Sequence, residues 1–484
     1  MQNRINHSDL LVIGAGPAGL TAAYEALKLG KTVTILEKDN VVGGISRTVK
    51  IDEYKFDLGG HRFFTKVDRV EKFWHEILPD SEFLQRPRMS RILYKGAFFD
   101  YPLKATNALR GLGLLEAIKC VLSYFKSRIF PPKIQDNFED WVTARFGKRL
   151  YSIFFKTYTE KVWGINAREI SSAWAAQRIK NLSLGKAILN AFGFGKGTEK
   201  ITTLIDTFQY PKFGPGQMWE KCLSDIELMN GKIIFDVEIT GMQVGKSEVQ
   251  VETNKGIFTS EYIVTTLPIN DLPKLLGVED STVINASSNL KHRDFLTVAL
   301  VVQGEETFPD NWIYVHTPEV KVGRIQNFRS WSPEMSPEGQ TCLGLEYFVN
   351  QGDSTWESTD DELVNLGKSE LAKLGLIDME RVIKGYVVRV PKAYPVYDEE
   401  YEEHLKVLAN FINTYNGRIQ PVGRNGMHRY NNQDHSMLTA MYAVENIFLG
   451  KNHNLWEVNV DDSYHEEKNN FGGRAAPTFT SKKN

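Results

Sequence analysis

A chain of 484 residues is long enough for roughly two or three domains, and 42% hydrophobic with 24% charged residues is an ordinary globular balance. A formal net charge of -2 argues against a general nucleic-acid binder. Cys120, Cys222 and Cys342 lie too far apart for a zinc site or a disulfide framework, which points to a reducing compartment. The opening residues carry no apolar signal region and no run is long enough to cross a membrane, so the cytoplasm is the expected address.

Asp9 to Lys38 reads as strand, glycine turn, helix and second strand. The apolar run Leu10, Leu11, Val12 and Ile13 suits a strand buried on both faces. Gly14, Gly16 and Gly19 follow in G-x-G-x-x-G spacing. The first allows a sharp turn, the second lets backbone approach a pyrophosphate, and the third lets the helix lie close on the strand. The helix start offers N–H groups and partial positive charge to phosphates. Glu37 ends the second strand, about 20 residues beyond the glycines, where an acid can bind ribose hydroxyls. The loop V-V-G-G-I-S-R-T at 41–48 fits a segment passing over the rest of an FAD, where a plain NAD domain moves straight to its next strand.

Further along, Y-K-F-D-L-G-G-H-R-F-F at 54–64 places His61 after two glycines. Bare backbone there can approach a flavin edge, and a surface histidine has the same local pattern. Lys95-Gly96 suits a hairpin between two strands closed by Tyr101 and Pro102. Helical spacing predicts helices over 104–130, 138–161 and 171–184, with Trp141, Phe154, Phe155, Trp163 and Trp174 as core aromatics. A helix over 218–230 and strands over 232–236, 249–252 and 262–265 return the chain to the nucleotide-binding sheet. F-L-T-V-A-L-V-V, W-I-Y-V-H and C-L-G-L-E-Y-F-V predict a separate antiparallel sheet. A helix is expected over 360–374, a strand over 382–390 and a loop over 391–397. G-R-N-G-M-H-R-Y-N-N-Q-D-H-S leads into a helix from about Ser436, capped by Asp434 or Ser436 and able to face the pyrimidine end of a flavin. After Asn459 a loose tail is expected.

These motifs carry a resemblance. G-A-G-P-A-G-L, G-G-I-S, F-D-L-G-G-H-R-F-F, F-E-D-W-V, T-E-K-V-W-G, W-A-A-Q-R-I, F-G-P-G-Q-M-W and the G-R-N-G stretch resemble the UDP-galactopyranose mutases of the eukaryotic type, within the flavin-dependent amine oxidase and protoporphyrinogen oxidase superfamily. The resemblance implies an α/β fold, with a Rossmann-like FAD-binding domain, a helical insertion and an antiparallel β-sheet substrate domain. On this reading the FAD-binding domain is 9–80, 198–290 and 398–460. The helical domain is 104–190, the sheet domain 81–103 and 291–397, and the tail 461–484. It implies pyranose–furanose isomerisation of a nucleotide sugar by reduced-flavin N5 attack on the anomeric carbon, without net redox. The setting is cell-surface polysaccharide biosynthesis, and NAD(P)H is a candidate external reductant.

The resemblance assigns Arg178, Arg324 and His61 to catalysis. FAD falls to Gly14, Gly16, Gly19, Glu37, Lys38, Gly44, Ile45, Ser46, Gly60, His61, Gly423, Arg424, Asn432, Gln433, Asp434 and Ser436. Tyr101, Arg178, Tyr314, Arg324, Tyr394, Tyr430 and Asn432 fall to the sugar nucleotide, and no metal is expected. Three departures put the base pocket in doubt: Lys104 where the family carries glutamine, Thr159-Glu160 before K-V-W, and Trp331 in place of a tyrosine. The rival reading is an FAD oxidase or dehydrogenase of amines, porphyrin-like rings or polyenes. Such an enzyme needs an apolar tunnel and no paired arginines. A homo-oligomer is compatible with either reading.

Overall fold

The computed structural model describes residues 6–101, 103, 105–172, 205–305 and 307–459. Its architecture is the expected mixed α/β fold, built on two seven-stranded sheets. The first runs in the order Ile239–Val244, Val249–Thr253, Gly256–Thr265, Asn6–Ile13, Val33–Leu36, Lys232–Ile234. Ile419–Pro421 pairs in parallel with the end of Gly256–Thr265. Asn6–Ile13 is central, parallel to both neighbours, and Leu10, Leu11 and Val12 are wholly buried. That burial on both faces explains the unbroken apolar run. Helices Pro17–Lys28 and Gln433–Leu449 pack together over one face through Leu20, Ala22, Met437 and Ala440.

The second sheet runs Val382–Pro395, His292–Gln303, Gln340–Val349, Arg324–Asn327, Trp312–Val315, Ser90–Tyr94, Ala97–Asp100. Its pairings are antiparallel except that of Trp312–Val315 with Ser90–Tyr94, which is parallel. Lys95 and Gly96 make the expected tight hairpin, both with positive φ. The period of two sorts the side chains. Ile313, Ile325 and Leu345 face the core beneath helix Asp360–Lys373, with Leu363 and Leu371. Trp312, Tyr314, Arg324, Gln326 and Glu346 alternate with them and face the opposite way, toward the first sheet.

Several expected elements differ. The helix expected over 104–130 is two helices, Ala105–Leu112 and Leu114–Ile129, parted at Gly113 with φ 77°. The one expected over 138–161 breaks at Gly147, φ 83°, after Phe138–Phe146, resumes at Lys148–Tyr151 and widens at Ser152–Lys156. Apolar spacing continues across both glycines, so periodicity alone joins the pieces. The loop expected over 391–397 begins as strand instead, because Val382–Pro395 continues through a bulge. Pro391 has no N–H for the ladder, Lys392 takes φ 53°, and pairing resumes at Tyr394 opposite Arg293. The last long helix starts at Gln433 rather than Ser436, and Asn432 with His435 forms its capping box in place of Asp434 or Ser436. The helix expected over 171–184 and the tail after Asn459 lie outside the described residues.

Candidate active site

A cavity of about 1130 Å³ lies between the two sheets, starting where the parallel strands end. Ile13, Gly14, Leu36 and Thr266 are at that end, the usual ligand crevice of an open α/β sheet. Gly14 turns the chain at φ 94°, and a Cβ there would sit 2.0 Å from the Thr266 hydroxyl. Gly19 serves packing, since a Cβ would lie 1.8 Å from the Gly14 carbonyl oxygen. Gly19 is absent from the cavity lining, so its part is to let helix meet strand. Gly16 and Gly44 face each other, and a Cβ on Gly44 would come 3.2 Å from the Gly16 Cα. Together they form a cradle of bare backbone at the start of helix Pro17–Lys28, whose N-cap, Gly16, makes no side-chain cap bond.

Glu37 lines the same end, with Lys38 beside it. Its carboxylate accepts from the backbone N–H of Ala15 at 2.5 Å and of Asp39 at 2.9 Å. Burial pushes its pKa above the usual carboxylate range, against those two bonds. The acid is therefore fixed across the mouth of the glycine turn. Ile45 and Ser46 continue the wall.

His61 lines the middle of the cavity with Gly60. Its Nε2 lies 3.2 Å from the Leu58 carbonyl oxygen and its Nδ1 3.3 Å from the Ser46 hydroxyl. Burial first, then the charge of Arg424, lowers its pKa to about 4. The imidazole is neutral near pH 7 and held by both nitrogens. Gly60 has a steric reason of its own: a Cβ would meet the Trp312 ring at 2.7 Å. Trp312 lies over the Arg62 guanidinium at 3.7 Å and stacks on buried Trp331.

The far wall is polar and aromatic. Tyr101, Tyr158, Tyr314, Tyr394 and Tyr430 line it around Arg324. Tyr101 and Tyr314 rings lie 4.7 Å apart, Tyr158 meets Tyr314 edge-on at 5.4 Å, and Tyr394 stacks on Tyr430 at 5.5 Å. Burial pushes the Tyr158 and Tyr394 hydroxyls up, so both remain protonated donors. Arg324 donates through Nε to Glu346, which has no exposed surface and also accepts from Gln326 Nε2 at 2.7 Å. Burial opposes the Arg324 charge, but Glu346 and the nearby tyrosines outweigh it and hold its pKa well above the usual value.

Arg424 lies over the Tyr430 ring at 4.8 Å and donates to the backbone oxygens of Asn431 and Ala393. Among the described residues it pairs with no carboxylate. Gly423, Asn432, Gln433 and Ser436 complete the lining at the start of the last helix.

Two sequence-predicted positions are not brought to the cavity, Gly19 and Asp434. Asp434 is buried and accepts from Thr65 Oγ1 at 3.1 Å, so it anchors the helix start from behind. Arg178 and Lys104 lie outside the described residues. Trp331 donates from Nε1 to the Asn311 carbonyl oxygen and packs behind Trp312, away from the cavity lining. Sequence reading missed Tyr158, Trp312 and Glu346. It also gave Trp163 to the core alone, whereas that ring is buried and lines the cavity as well. Tyr158 stands on helix Thr157–Trp163, immediately before the T-E-K-V-W-G motif at 159–164, and that neighbouring motif was the available signal.

Residues 12–77 match the family described as an NAD(P)-binding Rossmann-like domain. A probable UDP-galactopyranose mutase of Klebsiella pneumoniae is 26% identical over 176 residues, 35% of this chain and 44% of that protein. An L-amino-acid oxidase of Sistrurus catenatus edwardsii is 29% identical over 140 residues, 25% of this chain and 27% of that protein. The chain thus spans less than half the length of these curated relatives. Among solved structures, reduced UDP-galactopyranose mutase superposes with a TM-score of 0.81 at 20% identity, covering 94% of this chain and 100% of that one. A putative protoporphyrinogen oxidase from an Exiguobacterium species follows with a TM-score of 0.70 at 16% identity, covering 92% and 99%. No helix among the described residues is long and apolar enough to cross a membrane. In sequence and in fold, the chain is similar to UDP-galactopyranose mutase, the resemblance that its motifs carry.

Proposed function

We propose that the protein is a flavin-dependent nucleotide-sugar mutase that interconverts pyranose and furanose forms, with FAD along the glycine-lined half of the cavity and the sugar nucleotide against the tyrosine-ringed half. The carrying observation is Arg324, set among tyrosine hydroxyls on the wall of the same cavity that opens at the glycine turn. The residues fit the cofactor: Gly16 and Gly44 leave backbone bare where a pyrophosphate passes, and Glu37 stands at the ribose end. A bound reduced flavin supplies the nucleophile for the anomeric carbon, with no net change in oxidation state.

The chain's own residues manage charge. The diphosphate of a sugar nucleotide carries two negative charges and gains a third as its bond to the anomeric carbon breaks, and a buried guanidinium beside neutral hydroxyl donors stabilises that developing charge better than water does. Glu346 holds the Nε edge of Arg324, which leaves the Nη edge for ligand oxygens. Tyrosines 158, 314, 394 and 430 add donors without adding charge. Neutral His61 fixes the loop at the flavin edge and carries no cation that would compete for the leaving group. Arg178, in W-A-A-Q-R-I, is the second cation of this reading. Among the described residues the far wall contributes no lysine. Both lysines in the lining, Lys38 and Lys274, belong to the nucleotide-binding half.

Reduced protein is to be screened against a panel of nucleotide sugars, with pyranose and furanose resolved by chromatography. Isomerisation by the reduced and not the oxidised protein supports the reading. A second reading, an amine-oxidising flavoenzyme, draws on the L-amino-acid oxidase relative, and hydrogen peroxide formed from an amine would favour it.

A further inference from the structure

Helix Leu114–Ile129 is built inside out. Small residues, Ala117, Cys120 and Ser127, make its buried face. Its largest apolar residues point to solvent: Leu114 is 76% exposed, Leu115 77%, Leu122 64% and Ile129 68%, with Ile118 and Phe125 also exposed. At helical spacing these six occupy one arc of about 100° opposite the buried face. The apolar surface continues past the helix end through Phe130 and Ile134, 74% and 64% exposed. A contiguous patch of this kind marks an interaction surface.

Charge selects the partner. Lys119 and Lys126 flank the arc on one side and Arg128 on the other, and exposed Lys133 sits between Phe130 and Ile134. The helix's one acid, Glu116, is already engaged by Arg149. Two copies paired through this face would set these cations against their own counterparts, which repels. Phe130 and Ile134 lie beyond the helix, where a helix–helix seam has no use for them. We propose that this face lies on an anionic lipid bilayer, with the helix parallel to the membrane plane, the apolar arc in the interface and the cations at headgroup level.

The test is vesicle flotation of the full chain, with phosphatidylcholine alone or mixed with phosphatidylglycerol. The wild-type protein is expected to float with the mixed vesicles, and less so in high salt. Leu122→Asp/Phe125→Asp is expected to abolish flotation, and Lys119→Glu/Lys126→Glu to lower the partition coefficient by at least about thirtyfold. Circular dichroism checks that each variant is folded. Should the aspartate pair fail to fold, the glutamate pair decides alone. The proposal is overturned if the wild-type protein stays out of the floated fraction, or binds both vesicle types equally. A dimer that Leu122→Asp/Phe125→Asp dissociates, without vesicle binding, also overturns it and gives the face to a second copy.

Discussion

Arg324 and Glu346 are direct cross-strand partners, and the Arg324 guanidinium reaches the cavity already bonded to that buried carboxylate. The cation therefore already has an anionic partner before any ligand arrives. Glu346→Gln keeps the shape and removes the counter-charge. Breaking a buried pair costs about 3–5 kcal/mol, so the variant is expected to melt at lower temperature. A bound diphosphate replaces the missing anion. UDP is thus expected to raise the melting temperature of Glu346→Gln more than that of the wild-type protein. An equal or smaller rise in a thermal-shift titration would mean that Arg324 does not meet the ligand.

Gly16 separates cofactor binding from stability. The nearest atom to a Cβ built there is the Gly44 Cα at 3.8 Å, an ordinary contact, and the backbone is extended. Gly16→Ala is expected to change stability by no more than about 1 kcal/mol, the scale of an N-cap change. The new methyl group would nonetheless fill the cradle and weaken FAD binding. Flavin content after dialysis, set beside the melting temperature of the apoprotein, checks this. Full retention of flavin would place the pyrophosphate elsewhere.

Acid is expected to destabilise the fold through buried histidines. Burial lowers His61 and His292 to about 4, and His316 and His428 to about 3, from an ordinary 6.5. Below pH 6.5 the unfolded chain takes up protons that the folded one refuses, so stability falls with pH until about 4. Asp57 works the other way. Burial raises it to about 7, so its contribution grows as pH drops from 7 toward 3.8. The four imidazoles, each about 1.4 kcal/mol per pH unit, are expected to outweigh Asp57 together with the carboxyls of Glu25, Glu37 and Glu346, which burial also raises. Calorimetric melting at pH 7.5, 6 and 5 is expected to show a steep decline. A flat profile would contradict neutral burial of these imidazoles.

What the sequence made legible was local. The glycine spacing, Glu37 at the strand end and the 95–96 hairpin each depend on neighbours a few residues away, and all are found in place. Breaks at Gly113 and Gly147 were hidden because apolar spacing runs on through them. Strand Arg324–Asn327 was invisible as a strand, being four residues of mixed polarity. Glu346 reads as one more residue of an apolar run, and only the register of two strands brings it to Arg324. Tyr394 reaches the cavity through a bulge that Pro391 forces, and a proline in sequence reads more simply as a loop. Site residues on the nucleotide half could thus be found by pattern, while the far wall depends on pairings across tens or hundreds of residues.

The most direct measurement compares isomerisation by the dithionite-reduced wild-type protein and Arg324→Ala, on a nucleotide sugar that the wild-type protein converts, with bound flavin quantified in both. Loss of a preorganised charge donor costs about 10²–10³ in rate. Arg324→Ala is expected to hold its flavin and lose at least that much turnover. Turnover at the wild-type rate, with flavin equally bound, would contradict the assignment of this guanidinium to the departing diphosphate.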